Sequence, residues 1–225
     1  MFSDREDAGR RLAAALTRFT KQDPVVLALP RGGVPVGIEV ATALDAPLDL
    51  VIVRKLGAPD RPELAIGAVV DGEHSEVILN REVVDYLGVS PQYIAAERAR
   101  EMQEIERRRR TYLAGRSRVT VEGRTAIIVD DGIATGATMR AAITATRRLR
   151  PKRLVFAVPV APTDTLDALR GEVDEAVCLE SHVNFPAISL YYRHFPQVSD
   201  EEVRQLMARA KNLSAKPSGR GDAHL

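Results

Sequence analysis

The chain has 225 residues, which is long enough to bury a substantial core within one α/β domain. Its 32 Lys and Arg residues balance 31 Asp and Glu residues, and the net charge of +1 gives no overall field that attracts nucleic acid or an anionic membrane. The single cysteine, Cys178, cannot form an internal disulfide, and the acidic N-terminus does not resemble a signal peptide. We therefore expect a cytoplasmic protein that binds neither nucleic acid nor membrane.

Strands and helices alternate along the chain, which predicts an α/β fold with a mainly parallel, twisted sheet flanked by helices. We expect one domain over residues 1–213 and a disordered tail over 214–225. The first helix is predicted to have a packing role only. Strands are expected at 25–29, 48–53, 64–70, 77–79, 125–129, 153–160 and 176–179. Helices are expected at 4–19, 81–87, 91–113, 137–150, 164–171 and 199–213, with another that ends near residue 44.

The loop after the first strand, residues 30–37, reads Pro-Arg-Gly-Gly-Val-Pro-Val-Gly. Its glycines allow the backbone to approach a ligand, and Arg31 adds a guanidinium. The spacing excludes both the dinucleotide fingerprint and the Walker A loop. Taken alone, the segment is also compatible with an ordinary surface turn.

Two cations, Arg54 and Lys55, follow the predicted strand at 48–53. Residues 56–63 contain two prolines and a glycine, so they are predicted to form a loop without regular structure. Because α/β sheets bind ligands at the carboxyl ends of their strands, we expect Arg54 and Lys55 to face a ligand. A solvated hairpin whose basic residues contact nothing is the alternative, and for Arg61 both remain open.

Residues 125–138 read Thr-Ala-Ile-Ile-Val-Asp-Asp-Gly-Ile-Ala-Thr-Gly-Ala-Thr. The apolar run predicts a buried strand with Asp130 and Asp131 at its carboxyl end. The helix that follows would offer unpaired N–H groups and the positive end of its dipole to a phosphate, beside the hydroxyls of Thr135 and Thr138. An ordinary strand-to-helix turn explains Gly132 but not the doubled acid or both threonines. A phosphate cradle beside two carboxylates suits a sugar phosphate, with a divalent cation nearby.

Four apolar residues, two acids, a variable triplet and Thr-Gly-x-Thr resemble the phosphoribosyl pyrophosphate (PRPP) motif of type I phosphoribosyltransferases. The resemblance implies the fold of that family, with a small C-terminal hood at about 180–198. It also implies transfer of the 5-phosphoribosyl group from PRPP to a nitrogen nucleophile such as a nucleobase, with Mg²⁺ and release of pyrophosphate, as in nucleotide salvage. Family members are commonly dimers, so a homodimer is compatible with it.

The resemblance assigns four residues to catalysis. Asp130 and Asp131 would bind the ribose hydroxyls directly or through Mg²⁺, while Arg54 and Lys55 would stabilise the leaving pyrophosphate. Residues 56–63 would be a mobile lid. The pyrophosphate loop, which often contains a strained or cis non-proline peptide, would comprise Arg31, Gly32 and Gly33. The 5-phosphate would contact Gly132, Ile133, Ala134, Thr135, Gly136, Ala137 and Thr138.

The hood segment is rich in aromatic side chains, although aromatic residues make up only 4% of the chain. By resemblance, Phe185 and Tyr191 are candidates to stack on the base. Alternatively, the aromatic residues form a cluster that packs against the C-terminal helix. Ala134 stands where the 6-oxopurine branch of the family has an acid, which counts against hypoxanthine or guanine. The acceptor and the general base stay unassigned.

Two other classes of protein are compatible with parts of this pattern. A PRPP-binding regulatory protein would keep the site without turnover. A phospho-acceptor receiver domain also has paired acids at a sheet edge, but there the pair follows the first strand. Here the pair follows a late strand and precedes Thr-Gly-x-Thr, so the receiver domain is disfavoured.

Overall fold

The computed structural model describes residues 1–71 and 76–214, and two sheets lie within them. The larger sheet has five parallel strands in the order β2-β1-β6-β7-β8. Its strands are β1 Pro24–Ala28, β2 Leu48–Leu50, β6 Thr125–Val129, β7 Arg153–Pro162 and β8 Glu175–His182. The smaller sheet is antiparallel and comprises β3 Val53–Ala58, β4 Arg61–Val70 and β5 Glu76–Leu79. The prediction of a mainly parallel α/β sheet is confirmed.

Seven α-helices surround the sheets in the described part of the chain. They are α1 Arg5–Leu16, α2 Gly33–Leu44, α3 Arg81–Leu87, α4 Pro91–Leu113, α5 Ala137–Arg148, α6 Thr163–Arg170 and α7 Asp200–Ser214. Short 3₁₀ turns lie at Thr17–Phe19 and Ile188–Tyr191. Ser90 caps α4, since its hydroxyl accepts the N–H of Tyr93 at 3.2 Å. Ser199 and Glu202 form a capping box at the start of α7.

The core explains why the central strands are apolar at every position. In β6, Ile127 and Val129 pack in one cluster with α2 and α7, while Ala126 and Ile128 pack in a second cluster with α5. Both faces of the strand are therefore covered, and a parallel strand buried on both faces favours an unbroken apolar sequence. In the part of the chain that the structure describes, the helices do not cover the carboxyl end of β6. At that edge of the sheet, the loop that follows β6 meets the loop that follows β1.

The segment after β2 differs from its prediction. Residues 56–63 form most of a hairpin between β3 and β4 rather than an irregular loop, and Arg61 begins β4. Gly57 makes the hairpin possible, because a Cβ there would lie 2.8 Å from the carbonyl oxygen of Pro62. The cations Arg54 and Lys55 consequently lie on a strand.

The segment after β8 is attached to the N-terminus. The N–H of Phe2 donates to the carbonyl of Tyr191 at 2.8 Å, and the N–H of Arg193 donates to the carbonyl of Phe2 at 2.9 Å. The predicted hood therefore contacts the chain's first residues and α1. No helix among residues 1–71 and 76–214 combines the length and apolar character that a bilayer crossing requires. The predicted disordered tail lies, from residue 215 on, outside the described residues.

Candidate active site

Two loops from adjacent strands meet at the carboxyl edge of the parallel sheet. Strands β1 and β6 pair in parallel, with Ala28 opposite Val129, so the chain leaves both strands at the same level. The loop after β1 then packs directly on the acid pair. A Cβ on Gly32 would lie 2.1 Å from Oδ2 of Asp131, and one on Gly33 would lie 2.7 Å from the carbonyl oxygen of Val129. The two predicted ligand loops thus form one continuous surface. The peptide bond between Pro30 and Arg31, in the loop after β1, is cis.

The two carboxylates differ in their partners. Asp130 accepts the N–H of Asp131 on Oδ1 at 2.9 Å, whereas Oδ2 of Asp131 accepts from Nε of Arg5 at 2.7 Å. Burial and the charge of Asp131 raise the pKa of Asp130 well above its usual range. Burial also raises the pKa of Asp131, and Arg5 opposes that rise. The pair therefore consists of two adjacent acids, one of which is in direct contact with a cation, Arg5.

The loop after the acid pair is shaped for an anion. Gly136 precedes α5 with φ of +76°, and the helix start has no side-chain cap, so its first N–H groups stay available. A Cβ on Gly136 would lie 2.8 Å from Cγ2 of Thr165, which adds a steric reason for glycine to the conformational one. The N–H of Ile133 donates to the carbonyl of Val160 at 2.9 Å and fixes the loop on β7.

A cavity of about 180 Å³ joins most of the predicted site residues. It is lined by Lys55, Asp130, Asp131, Gly132, Ile133, Ala134, Thr135, Gly136, Ala137, Thr138, Met139 and Ile188. The acid pair, the whole anion loop and one cation therefore face one space. Six predicted residues are not among those that line it, namely Arg31, Gly32, Gly33, Arg54, Phe185 and Tyr191.

The two neighbouring cations of β3 are directed differently. Lys55 lines the cavity and forms no ion pair with the residues that the structure describes. Arg54 instead donates from Nε to Oε2 of Glu101 on α4 at 2.6 Å, and Glu101 is only 3% exposed. Successive residues of a strand point to opposite faces, so the expectation that both cations face one ligand depended on the segment being a loop.

Arg31 lies close to the N-terminus of α7. Its guanidinium is 3.5 Å from Oδ1 of Asp200, which also accepts the hydroxyl of Tyr112 at 2.6 Å. The hydrogen bond from Tyr112 lowers the pKa of Asp200, as does Arg107. The side chain of Arg31 thus points toward a carboxylate on α7, while the backbone of its loop contacts the acid pair.

The aromatic residues of the hood form their own cluster. Tyr191 stacks between His182, at a centroid distance of 4.5 Å, and Phe185, at 4.8 Å. The cluster packs with Phe2 and Val160 rather than with the C-terminal helix, whose apolar residues belong to a different cluster. Ile188 is the hood residue that lines the cavity in the described structure.

Sequence reasoning missed Arg5 and Tyr192. Arg5 comes from α1, which was expected only to pack, and the hydroxyl of Tyr192 donates to the carbonyl of Asp131 at 2.6 Å. Burial raises the pKa of Tyr192, so this hydroxyl stays protonated. One signal for Arg5 was available in the sequence. A cation in the first turn of a helix is unfavourable because it lies at the positive end of the helix dipole, so an arginine there suggests a compensating contact with an acid elsewhere.

A second cavity, of about 460 Å³, lies between β2, the end of β4 and the C-terminal end of α5. Its acids are already engaged. Asp49 accepts two backbone N–H groups at 2.8 Å, and Asp71 pairs with Arg118 at 2.6 Å. It shares no lining residue with the smaller cavity. The smaller cavity is the candidate active site because its walls contain the acid pair, the anion loop and Lys55.

The carboxylate pair fits a divalent cation that is shared with a ligand. No cluster of three or more His, Cys, Asp or Glu groups able to hold a metal ion is found among residues 1–71 and 76–214. Mg²⁺ is, however, commonly bound by one or two carboxylates together with substrate oxygens. Asp130 and Asp131 each keep one oxygen without a hydrogen bond in the described structure, which leaves an oxygen of each acid available to a cation.

These features define an α/β protein with an anion-binding loop beside paired acids at the carboxyl edge of a parallel sheet. The family model described as "Phosphoribosyl transferase domain" matches residues 3–191. The chain belongs to this family, and its sheet and helices have the type I phosphoribosyltransferase fold.

Relatives with high sequence identity support the same assignment. Two Mycobacterium tuberculosis proteins, provisionally named as phosphoribosyl transferases, are each 45% identical over 210 residues. The match covers 93% of this chain and 47% of each relative, so the chain spans about half the length of these curated relatives. The crystal structure of TT1426 from Thermus thermophilus superposes with a TM-score of 0.80 at 41% identity, covering 93% of this chain and 98% of that one.

Proposed function

We propose that this domain transfers the 5-phosphoribosyl group from PRPP to a ring nitrogen of a nucleobase and releases pyrophosphate. The observation that carries the proposal is the shared cavity, where the acid pair, the open start of α5 and Lys55 face the same space. PRPP has a phosphate at one end, hydroxyls in the middle and a diphosphate at the other end, and each of these groups finds a partner of suitable chemistry.

The anion loop would hold the 5-phosphate. Backbone N–H groups at the start of α5 would donate to the phosphate oxygens, and the hydroxyls of Thr135 and Thr138 would add further hydrogen bonds. The loop consists of Gly132, Ile133, Ala134, Thr135, Gly136, Ala137 and Thr138. Because it is attached to β7 through Ile133, it would hold the phosphate without a large rearrangement.

Asp130 and Asp131 would accept hydrogen bonds from the ribose hydroxyls or hold the cation that accompanies PRPP. Mg²⁺ bound here would neutralise charge on the diphosphate as the bond to the ribose breaks. As positive charge develops on the sugar ring, two nearby carboxylates would stabilise it electrostatically.

Lys55 is our candidate for the cation that stabilises the leaving pyrophosphate, together with the backbone of Arg31, Gly32 and Gly33. Arg54, which is bound to Glu101, would instead hold the hairpin against α4. For the acceptor we propose a slot beneath the hood. Ile188 would form its wall, and the stacked rings of Phe185 and Tyr191 would support that wall. A nucleobase acceptor would give the domain a role in nucleotide salvage.

Binding is tested by thermal unfolding with and without Mg²⁺ and PRPP. A ligand at about 100 times its Kd stabilises the folded state by about 2.7 kcal/mol, which raises Tm by about 5–10 °C for a chain of this size. Asp131→Asn or Thr138→Lys should remove most of this rise. The matched controls, Asp167→Asn on α6 and Thr144→Lys on α5, lie outside the cavity and should keep it.

Turnover is tested by incubating PRPP with a panel of nucleobases and measuring pyrophosphate release. Release with one base, lost in Asp131→Asn, supports the transferase. Stabilisation by PRPP without release for any base would favour the regulatory alternative. The absence of any PRPP-induced change in Tm would count against both.

A further inference from the structure

Arg5 reaches from the N-terminal helix to the acid pair. It is the first residue of α1, and its Nε donates to Oδ2 of Asp131 at 2.7 Å across a sequence separation of 126 residues. Both residues are 8% exposed. A buried arginine in direct contact with one of the two paired acids is therefore part of the wall behind the proposed PRPP site.

Three contacts fix the guanidinium of Arg5 in one orientation. Besides the bond to Asp131, its Nη1 donates to the carbonyl of Pro196 at 2.7 Å, and its Cζ lies 3.7 Å from the ring centroid of Phe195. Phe195 in turn packs on Tyr192, whose hydroxyl holds the backbone of Asp131. The acid is thus held through its side chain and its main chain by α1 and the hood together.

Stability alone is a weak reason for this arrangement. Replacing a buried ion pair with apolar residues of similar volume is often neutral or stabilising, because both charges must be desolvated. What the pair does achieve is geometric, since it commits Oδ2 of Asp131 to Arg5 and leaves Oδ1 without a hydrogen bond in the described structure. It also places a cation in direct contact with one of two adjacent carboxylates.

We propose that Arg5 is a positioning residue of the PRPP site, acting through Asp131 and linking that acid to the hood. This inference rests on the proposed function. Arg5 fixes the rotamer of Asp131 so that Oδ1 is presented to the ribose or its cation. Residues that orient a metal or substrate ligand in this way typically change affinity or activity by about 10–100-fold when they are removed.

The test is calorimetric titration of PRPP in the presence of Mg²⁺, which needs no knowledge of the acceptor. Arg5→Met keeps a side chain of similar length without the charge and should weaken PRPP binding at least tenfold. The matched control is Arg11→Met on the same helix. Arg11 pairs with Asp7 and lies over the ring of Phe2, its side chain is half exposed, and neither of these contacts involves Asp130 or Asp131.

A conservative variant separates orientation from charge. Arg5→Lys keeps the positive charge but loses the planar fork, which makes the bond to Asp131 and the stacking on Phe195 together. It should bind PRPP better than Arg5→Met and less tightly than the wild type. If Arg5→Met does not fold, the loss of PRPP affinity is measured on Arg5→Lys instead.

Coupling to Asp131 distinguishes positioning from a general structural role. If Arg5 acts through the acid, adding Arg5→Met to Asp131→Asn should weaken PRPP binding no further, even where the second substitution lowers Tm. Additive losses would overturn the inference, as would PRPP binding by both Arg5 variants at wild-type affinity. A wild-type protein that does not bind PRPP would refute the proposed function first, and this inference with it.

Discussion

Adding one methyl group at Gly32 tests whether the loop after β1 packs directly on the acid pair. Gly32 has φ of −60° and ψ of −33°, a conformation that alanine adopts without strain. In the folded protein, Gly32→Ala therefore changes only the contact. The new Cβ would lie 2.1 Å from Oδ2 of Asp131, and moving it out to 3.4 Å, where ordinary contact begins, requires a displacement of about 1.3 Å.

The displacement affects both stability and binding. Oδ2 of Asp131 is the atom that Arg5 binds at 2.7 Å, so moving the acid stretches that bond. Overpacking of this kind costs about 1–3 kcal/mol, which lowers Tm by about 2–12 °C for a chain of this size. A misplacement of about 1 Å in a binding group can cost about 100-fold, so we expect PRPP affinity to fall at least tenfold.

Thermal unfolding and PRPP titration of Gly32→Ala provide the two measurements. Gly171→Ala is the control, because Gly171 has φ of −70° and nothing lies within 4 Å of its added Cβ. The control should be neutral or gain about 0.4–1 kcal/mol through the unfolded chain. A Gly32→Ala protein with wild-type Tm and wild-type PRPP affinity would refute the packing argument.

Three further predictions concern the cations, the cysteine and the metal. Lys55→Met should weaken PRPP binding or pyrophosphate release with little change in Tm, while Arg54→Met should lower stability by about 1–3 kcal/mol because the buried carboxylate of Glu101 loses a hydrogen bond. The opposite pattern would contradict the assignment of the two strand faces. Burial raises the pKa of Cys178 to about 11, so iodoacetamide at neutral pH should alkylate the folded protein much more slowly than the urea-unfolded protein, and equal rates would count against that burial. A chelator should abolish the rise in Tm caused by PRPP, and a rise that persists would exclude a metal role in binding.

The sequence was most informative where a local pattern determines local structure. The apolar run ending in Asp130 and Asp131 is buried on both faces of β6, and the glycine-hydroxyl segment after it forms the predicted turn into α5. The burial of β6 is completed by distant helices, but its unbroken apolar run predicts that burial without identifying them. The turn depends on neighbouring residues only, and so does the capping box of α7, whose two hydrogen bonds join Ser199 and Glu202.

The hairpin was only the alternative prediction for residues 56–63, because two prolines and a glycine argue against regular structure. Pro62 lacks an N–H donor. Strand β5 pairs with Gly67–Val70 of β4 and does not extend to Pro62, so the edge of β4 that faces β5 needs no donor from this proline. Arg5 was missed for a different reason. Its partner is 126 residues away, and no periodic pattern in α1 encodes a contact that arises only when the sheet, the hood and the helix assemble.

The hairpin also couples the site to a distant surface. Lys55 faces the cavity, while its neighbour Arg54 is clamped to α4, a helix of 23 residues. If the hairpin moves outward to admit a substrate, either the ion pair between Arg54 and Glu101 breaks or α4 moves with the hairpin. Amide exchange along α4 would then register occupancy of a cavity that the helix itself does not line.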